Sequence, residues 1–516
     1  MWFTEALSWA PSWLWYLPAI TLLLYLYGIW PYLSTSIRLP GPKPAPYVGN
    51  LLQLNRTGAL NMDIMCLKKY GRVFLSWRGR KPVINIADPD MVKQICVKEF
   101  KNFANRGVFL PLGAVQKSMI TNLEDNHWKF VRSVLTPAFS SGKMRRMNPL
   151  IQICLQRLMD NLSEICKSGK SFELKRVMGG LTMEVIGAVG FGIETDVQND
   201  LNDRFLTMAK KVFEDNILTR MPVILTFLFP FMKPVFEALH FTSDSKDATD
   251  FFVTMLSKTI EQRRKELSPR KDLLQLILDS NVDDLKESLA DKDVDMEALK
   301  MDKLNRNKKL TDTEVIAQCI IFLLAGYETT ASALSYFAYN MAVHPECQEK
   351  LIREIDEDLK GAIPTYDNVM TLPYLDMCLS ETQRMYPAVR GVGRKCQDDI
   401  DINGLHIPAG ASVLLMGYAL QHDETYWPEP EKFDPDRWSP EQKASRHPYV
   451  YFPFGVGPRN CIGMRLALME AKMAIVAILQ KFRFIRAPET QVPLTLKKGI
   501  FVQAEHGIWL RVESRD

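Results

Sequence analysis

The 516-residue sequence predicts a mainly α-helical body with a small β-rich subdomain, preceded by one N-terminal transmembrane helix. Three observations carry this. A long uncharged apolar run lies near the N-terminus. A stretch with four prolines in seven residues follows it. Beyond that, helix-period apolar patterns dominate, with short strand-like segments between them. The expected boundaries are an anchor over 1–38, a spacer over 39–47 and a single globular body over 48–516.

The anchor comes first. From Ala6 to Ile37 there is no Asp, Glu, Lys or Arg, and residues 13–33 are long enough to cross a bilayer as a helix. Trp9, Trp13, Trp15 and Tyr16 gather at one end, Trp30 and Tyr32 at the other, as rings that favour the headgroup layer do. A cleaved signal peptide needs a basic leader, yet the only charge ahead of the run is Glu5. Arg38 and Lys43 follow the run instead, which puts the body in the cytosol. Pro18 and Pro31 disturb such a helix only near its ends. The spacer, Pro40-Gly41-Pro42-Lys43-Pro44-Ala45-Pro46, cannot be helical and reads as a stiff extended link.

Composition narrows the body. Apolar residues at 47% and charged residues at 24% are ordinary for a globular chain, and a net charge of +4 is too slight to argue for nucleic acid. The nine cysteines, Cys66, Cys96, Cys154, Cys166, Cys319, Cys347, Cys378, Cys396 and Cys461, are scattered and form no C-x-x-C pair. That argues against a disulfide framework or structural zinc site and for a reducing compartment.

Residues 73–77 and 83–87 read as a β-hairpin, and strand-like segments recur at 405–407, 413–416 and 500–512. The most legible helix starts at Thr311, where Thr311-Asp312-Thr313-Glu314 forms a capping box, and runs to about Val343 before Pro345. Apolar almost all round, it belongs in the middle of the body. The mixed charges of 279–309 read as a solvated connection. Residues 217–241 are strongly apolar but carry Pro222, Pro230 and Pro234. They predict a broken segment that dips into the membrane or lids a channel.

Chemistry concentrates in Phe454-Gly455-Val456-Gly457-Pro458-Arg459-Asn460-Cys461-Ile462-Gly463. Two glycines and a proline make a tight turn that delivers Cys461 to the start of an apolar helix. Backbone N–H groups there favour an anion, as a thiolate metal ligand requires. Gly457 and Gly463 allow close approach of a flat macrocycle, and Arg459 suits a carboxylate. A buried structural cysteine in a glycine-rich turn is the alternative.

This segment resembles the haem-binding signature of the cytochrome P-450 superfamily at every fixed position. Three more matches follow in the family's order: Trp128-Lys129-Phe130-Val131-Arg132, Ala325-Gly326-Tyr327-Glu328-Thr329-Thr330, and Glu381-Thr382-Gln383-Arg384 with Phe433–Trp438 downstream. The resemblance implies haem b, with Cys461 as iron ligand and Phe454 and Gly463 beside the cofactor. It implies that Trp128, Arg132, Arg106, Arg394 and Arg459 meet the propionates, Arg being suited to a carboxylate's two oxygens. Thr329 would serve the bound oxygen, Glu328 the proton supply, and Ala325 and Gly326 the space above the haem. Glu381, Arg384 and Arg437 would form a structural charge network. Leu324, Ala325, Ala388 and Val389 are the expected substrate contacts.

Residues 139–143, 325–330 and 454–470 are similar to microsomal family 3, subfamily A or a near relative, although Leu324 stands where an aromatic is usual. The resemblance implies an endoplasmic-reticulum monooxygenase that oxidises lipophilic steroids and xenobiotics. No dinucleotide fingerprint follows a strand, so electrons from NADPH must come through a separate reductase, in the family NADPH–cytochrome P-450 reductase and sometimes cytochrome b5. Lys143, Arg145 and Arg146 are candidates for docking an acidic partner. Two rival readings remain: an isomerase of the thromboxane-synthase type, which needs no reductase, and a haem sensor or carrier without turnover. Neither requires the Glu328–Thr329 pair.

Overall fold

The computed structural model describes residues 16–107, 110–200, 203–213, 217–243, 245–265, 272–279, 309–499 and 501–515. Residues 280–308 of the charged connection and the first aromatic belt up to Trp15 lie outside these residues.

Helix α1 (Leu17–Ser34) begins with Pro18 in its first turn and carries Pro31 in its last. Its C-terminal half is docked on the body rather than free. The Tyr32 hydroxyl donates to the carbonyls of Ala45 and Gly79 at 2.9 and 3.1 Å, and its ring meets Trp77 edge-on at 4.6 Å. A Cβ at Gly28 would lie 2.6 Å from the Tyr47 ring, so the close approach needs glycine there. The rest of α1 presents Leu22, Leu23, Leu24 and Trp30 outward.

The helices of the body that bear on the site are, in chain order, α2 (Asp125–Leu135), α3 (Ser141–Ser168), α4 (Leu174–Ile186), α5 (Ile217–Leu228), α6 (Lys233–Ala238), α7 (Asp312–Val343), α8 (Pro373–Met385) and α9 (Met464–Lys481); others, among them Ala59–Tyr70, Lys246–Lys265 and Pro345–Leu359, pack around them. The strands are β1 (Val73–Arg78), β2 (Lys81–Ile86), β3 (Phe172–Glu173), β4 (Val392–Lys395), β5 (Ile400–Ile402), β6 (Leu405–Ile407), β7 (Ser412–Leu415), β8 (Phe482–Arg486) and β9 (Trp509–Ser514). They make one sheet in the order β1-β2-β7-β4, a second in the order β3-β9-β8, and a β5-β6 ribbon. β1 and β2 pair antiparallel as expected, while β2 and β7 run parallel, a pairing that joins distant parts of the chain. The expected C-terminal strand shifts: regular pairing starts at Trp509, and Phe501 and Ala504 make only isolated bridges.

Helix α7 is the axis of the body. The Thr311 side chain accepts the Glu314 N–H, and the Glu314 carboxylate accepts the Thr311 N–H at 2.7 Å, closing the predicted capping box. At 32 residues the helix spans about 48 Å and is buried along most of its length. It packs against α4 where side chains shrink. A Cβ at Gly326 would stand 3.1 Å from Ile186, and one at Gly179 would stand 3.1 Å from the Tyr327 ring. The Thr182 hydroxyl donates across the same seam to the Tyr327 carbonyl at 2.9 Å.

The apolar segment is broken at its prolines. Pro222 lies within α5, Pro230 opens the short turn Pro230–Met232, and Pro234 sits in the first turn of α6. Phe231, at 64% exposure, and Leu239, at 70%, project outward. The segment adjoins the β1–β2 turn and the spacer: the Arg80 N–H donates to the Phe227 carbonyl, and the Phe229 ring lies 6.4 Å from the Tyr47 ring.

Candidate haem-thiolate site

The loop before α9 is shaped by glycine. Gly455 and Gly457 have φ of +73° and +75°, and a Cβ at Gly457 would fall 2.0 Å from the Cys96 carbonyl oxygen. The turn closes through the Cys461 N–H, which donates to the Phe454 carbonyl at 2.7 Å. Gly463 is the N-cap of α9, so Cys461 lies just ahead of the helix rather than in its first turn. Burial raises the Cys461 thiol, and the Gly463 N–H, Arg132 and Arg106 pull it back down. Cys461 is nevertheless exposed. A group both crowded by protein and accessible lines an internal cavity.

Helix α7 supplies another part of that wall. Ala325 is exposed in the middle of an otherwise buried stretch, with Gly326 and Thr329 half-buried beside it. Phe139 links the two sides: its ring meets Phe322 edge-on at 5.5 Å and lies 3.9 Å from where a Gly463 Cβ would stand. Apart from its chain neighbours, nothing among the described residues lies closer to that Cβ position, so packing against other segments does not demand glycine at Gly463.

Four arginines surround the same region. Arg132 donates to the Asn460 side chain at 2.9 Å, and the Arg459 guanidinium lies 4.8 Å from the Trp128 ring centroid. Arg459 also donates to the carbonyls of Ala104 and Leu123, and Arg394 to that of Gly393. Among the described residues, none of Arg106, Arg132, Arg394 and Arg459 has a carboxylate within 4.0 Å, and the Nε of each is buried without a hydrogen-bond partner. Burial and mutual repulsion push Arg459 down to about 8 and Arg106 to about 10; burial pushes Arg132 to about 10 as well, with Cys461 acting in the opposite sense. Such a cluster needs anions. The two propionates of a haem ligated by Cys461 would meet that need, so the donor set fits haem.

Thr329 and Glu328 part company. The Thr329 hydroxyl donates to the Ala325 carbonyl at 2.7 Å, on the cavity side. Glu328 turns into the seam with α4, where Lys175 pairs with it and the Gln503 amide donates at 2.9 Å. Neither partner was legible in sequence, because 153 residues separate Lys175 from Glu328 and 175 separate Gln503 from it. Gly326 has a packing reason of its own, its contact with Ile186.

Glu381, Arg384 and Arg437 meet in the core. Arg384 holds Glu381 through two bonds of 2.9 and 3.0 Å, and Arg437 Nε lies 3.4 Å from the same carboxylate. The Trp438 indole and the Asp434 N–H add bonds of 3.0 and 3.1 Å. Both members of the Glu381–Arg384 pair are fully buried.

The expected substrate contacts divide. Val389 is exposed and pairs with Phe501 in an isolated bridge, Ala388 is half-buried, and Ala325 faces the cavity. Leu324 departs from the expectation: it packs in the main core at 5% exposure, because one residue turns the helix by about 100° away from Ala325.

A sequence model described as cytochrome P450 matches residues 39–512. Cytochrome P450 3A9 of Rattus norvegicus is 41% identical over 507 residues, covering 97% of each chain. Cytochromes P450 3A7 and 3A5 of Homo sapiens are each 42% identical, over 508 and 512 residues, again covering 97% of each chain. The cavity wall, the thiol and the arginine cluster thus occur in a chain that belongs to the cytochrome P450 family, the haem b-dependent haem-thiolate monooxygenases.

Proposed function

We propose that this chain is an endoplasmic-reticulum monooxygenase that oxidises lipophilic small molecules, steroids and xenobiotics among them, with electrons from NADPH delivered by a separate reductase. The observation that carries the reading is the convergence of Cys461 with four arginines that lack carboxylate partners among the described residues. Similarity to several subfamily 3A proteins along 97% of the chain supports the substrate class. The apolar helix α1 and the exposed apolar residues of α5 and α6 support a membrane-bound body, with substrates entering from lipid.

In this reading Cys461 would ligate the iron of a bound haem, and Arg106, Trp128, Arg132, Arg394 and Arg459 would hold its propionates. Phe454, Gly463, Ala325 and Gly326 would lie against that cofactor. Thiolate-ligated haem supplies the oxygen-activating chemistry when bound. The chain's own residues bind, orient and ration protons. Thr329 offers its hydroxyl at the cavity wall, and Glu328 takes protons at its carboxylate from the Lys175 side, where that lysine is one-third exposed. Ala325, Ala388 and Val389 touch the substrate. Glu381, Arg384 and Arg437 lock the Cys461 loop. NADPH–cytochrome P450 reductase is the proposed electron donor, with cytochrome b5 as an auxiliary. Lys143, Arg145 and Arg146 offer a basic docking face on which Arg145 pairs with exposed Asp367.

The test is the absorption spectrum of the reduced protein under carbon monoxide, beside Cys461→Ser. A strongly red-shifted Soret band, lost in the variant, is the expected result; a band of the histidine-ligated type overturns the assignment of Cys461. NADPH consumption with added reductase, accompanied by oxidised product, separates the monooxygenase from an isomerase or a carrier.

A further inference from the structure

The stripe of α7 that brings Ala325 and Thr329 to the cavity continues toward the start of the helix. Gln318, Phe322, Ala325 and Thr329 fall within about 60° of one another at about 100° per residue. Gln318 is fully buried, a lone amide among Val315, Ile316, Ala317, Cys319 and Ile320. A buried primary amide is costly unless its oxygen and its N–H groups find partners. Here they do. Gln318 Oε1 accepts the Ile120 N–H at 2.8 Å, and Nε2 donates to the carbonyls of Ser118 and Glu314 at 2.7 and 3.1 Å. The side chain thus meets the backbone of residues 118–120 as one strand meets another, with an acceptor and a donor side by side.

One turn earlier on the same face, Glu314 lies 2.5 Å from Nε2 of His127, in the first turn of α2. The first two turns of α7 therefore hold the chain at Ser118–Ile120 and again at His127. Toward the thiol loop, Arg459 donates to the carbonyls of Ile120, at 3.4 Å, and Leu123. The Ile120 peptide is gripped on both sides, its N–H from α7 and its carbonyl from a residue two before Cys461. Residues 118–123 have no helix or strand of their own, so their place depends on these side chains. A segment hung between α7 and the thiol loop runs along the side of the cavity that those two enclose.

We propose that Gln318 is a positioning residue for ligand binding: its paired bonds fix residues 118–123 as a wall of the cavity and so favour bulky ligands that rest on it. The proposal rests on the haem-thiolate reading given above, in which Ala325 touches the substrate. Gln318 itself does not reach the reacting atoms. It acts by holding the wall in place before a ligand arrives, which spares the ligand the cost of ordering it.

The test uses the full-length, haem-loaded protein beside Gln318→Met and Gln318→Glu. Methionine keeps the bulk of glutamine without its paired bonds. Glutamate as a neutral acid, the form that burial favours, keeps one acceptor and one donor. Hydrogen exchange read by mass spectrometry on a peptide covering residues 118–124 should quicken about tenfold in Gln318→Met, while peptides from α9 exchange as before. Imidazole and clotrimazole, an imidazole carrying three aryl groups, are then titrated against the haem absorption. Clotrimazole should bind about five- to tenfold more weakly to Gln318→Met, and imidazole, too small to reach the wall, within about twofold of the unaltered chain. Gln318→Glu should stay within about twofold on every measurement. Unchanged exchange, or equal weakening of the two ligands, overturns the proposal. So does faster exchange throughout α7, which would make Gln318 a general stabiliser, and so does clotrimazole binding no tighter than imidazole to the unaltered chain. If Gln318→Met does not fold, Gln318→Asn, one methylene too short to reach Ile120, decides between the same outcomes. Absence of the red-shifted carbon monoxide band from the unaltered protein overturns the haem-thiolate reading instead.

Discussion

Gln503 donates its side-chain amide to the Glu328 carboxylate at 2.9 Å, from a segment two residues beyond the Phe501–Val389 bridge. Lys175 completes the hold from the start of α4. The acid of the oxygen-side motif is therefore fastened by two elements remote in sequence, and it faces away from the hydroxyl of its neighbour Thr329.

That arrangement makes Lys175 a stabilising partner. Breaking a fully buried pair costs about 3–5 kcal/mol, but Lys175 is one-third exposed and water screens part of the loss. Lys175→Met should lower stability by about 1–2 kcal/mol. Lys175→Met/Glu328→Gln should recover part of it, as a double-mutant cycle in denaturant unfolding would show.

Thr329 should behave differently. Its hydroxyl is half-exposed at the cavity wall and bonds only its own helix among the contacts described. Thr329→Val should shift stability by less than about 1 kcal/mol while product formed per NADPH falls severalfold. Unchanged coupling in Thr329→Val would remove Thr329 from the proposed chemistry.

The loop glycines offer a matched contrast. Gly457→Ala combines φ of +75° with a Cβ 2.0 Å from the Cys96 carbonyl oxygen, so it should abolish soluble, folded protein. Gly463→Ala meets nothing nearer than Phe139 at 3.9 Å, so the chain should fold with near-normal melting. Reduced haem content in Gly463→Ala, measured by pyridine haemochrome, is then a direct reading of the cofactor face.

Glu381→Gln removes one partner from a pair with no exposure and should cost about 3–5 kcal/mol. Arg384→Lys, with Glu381 kept, should also be destabilising, since a lysine cannot reproduce the two-pronged bond. Lys68→Gln, which breaks the exposed pair with Glu424, should cost less than about 1 kcal/mol in the same unfolding assay.

His422 supplies a pH dependence. Burial, and secondarily Arg384, push it down to about 3, while its Nδ1 meets the Tyr418 carbonyl at 2.8 Å. Between about 3 and 6.5 the unfolded chain binds a proton that the folded chain refuses, so this contribution is present above pH 6.5 and lost as pH falls. From pH 6.5 to 5 the loss approaches about 2 kcal/mol. His422→Gln should flatten that part of the stability curve, followed by chemical unfolding at several pH values.

Much of the site was legible because its signals are local. The turn that presents Cys461 depends on glycine, and glycine at 455 and 457 announces a backbone that other residues rarely adopt. The i, i+4 spacing of Trp128 and Arg132, the i, i+3 spacing of Glu381 and Arg384, and the capping box at Thr311 are one-helix properties, so counting along the chain sufficed. The apolar run over 17–34 and the proline breaks over 217–241 are likewise read from consecutive residues.

Tertiary structure decided what depends on which elements meet. Only the packing of α7 against α4 determined that Leu324 lies in the core while Ala325 faces the cavity, and that Glu328 points to Lys175 and Gln503. Only the folded chain brought Arg106, Arg132, Arg394 and Arg459 into one region with Cys461. The reason is physical: periodicity and backbone preference act over a few residues, whereas burial, charge pairing and cavity walls are made by segments that the chain joins across hundreds.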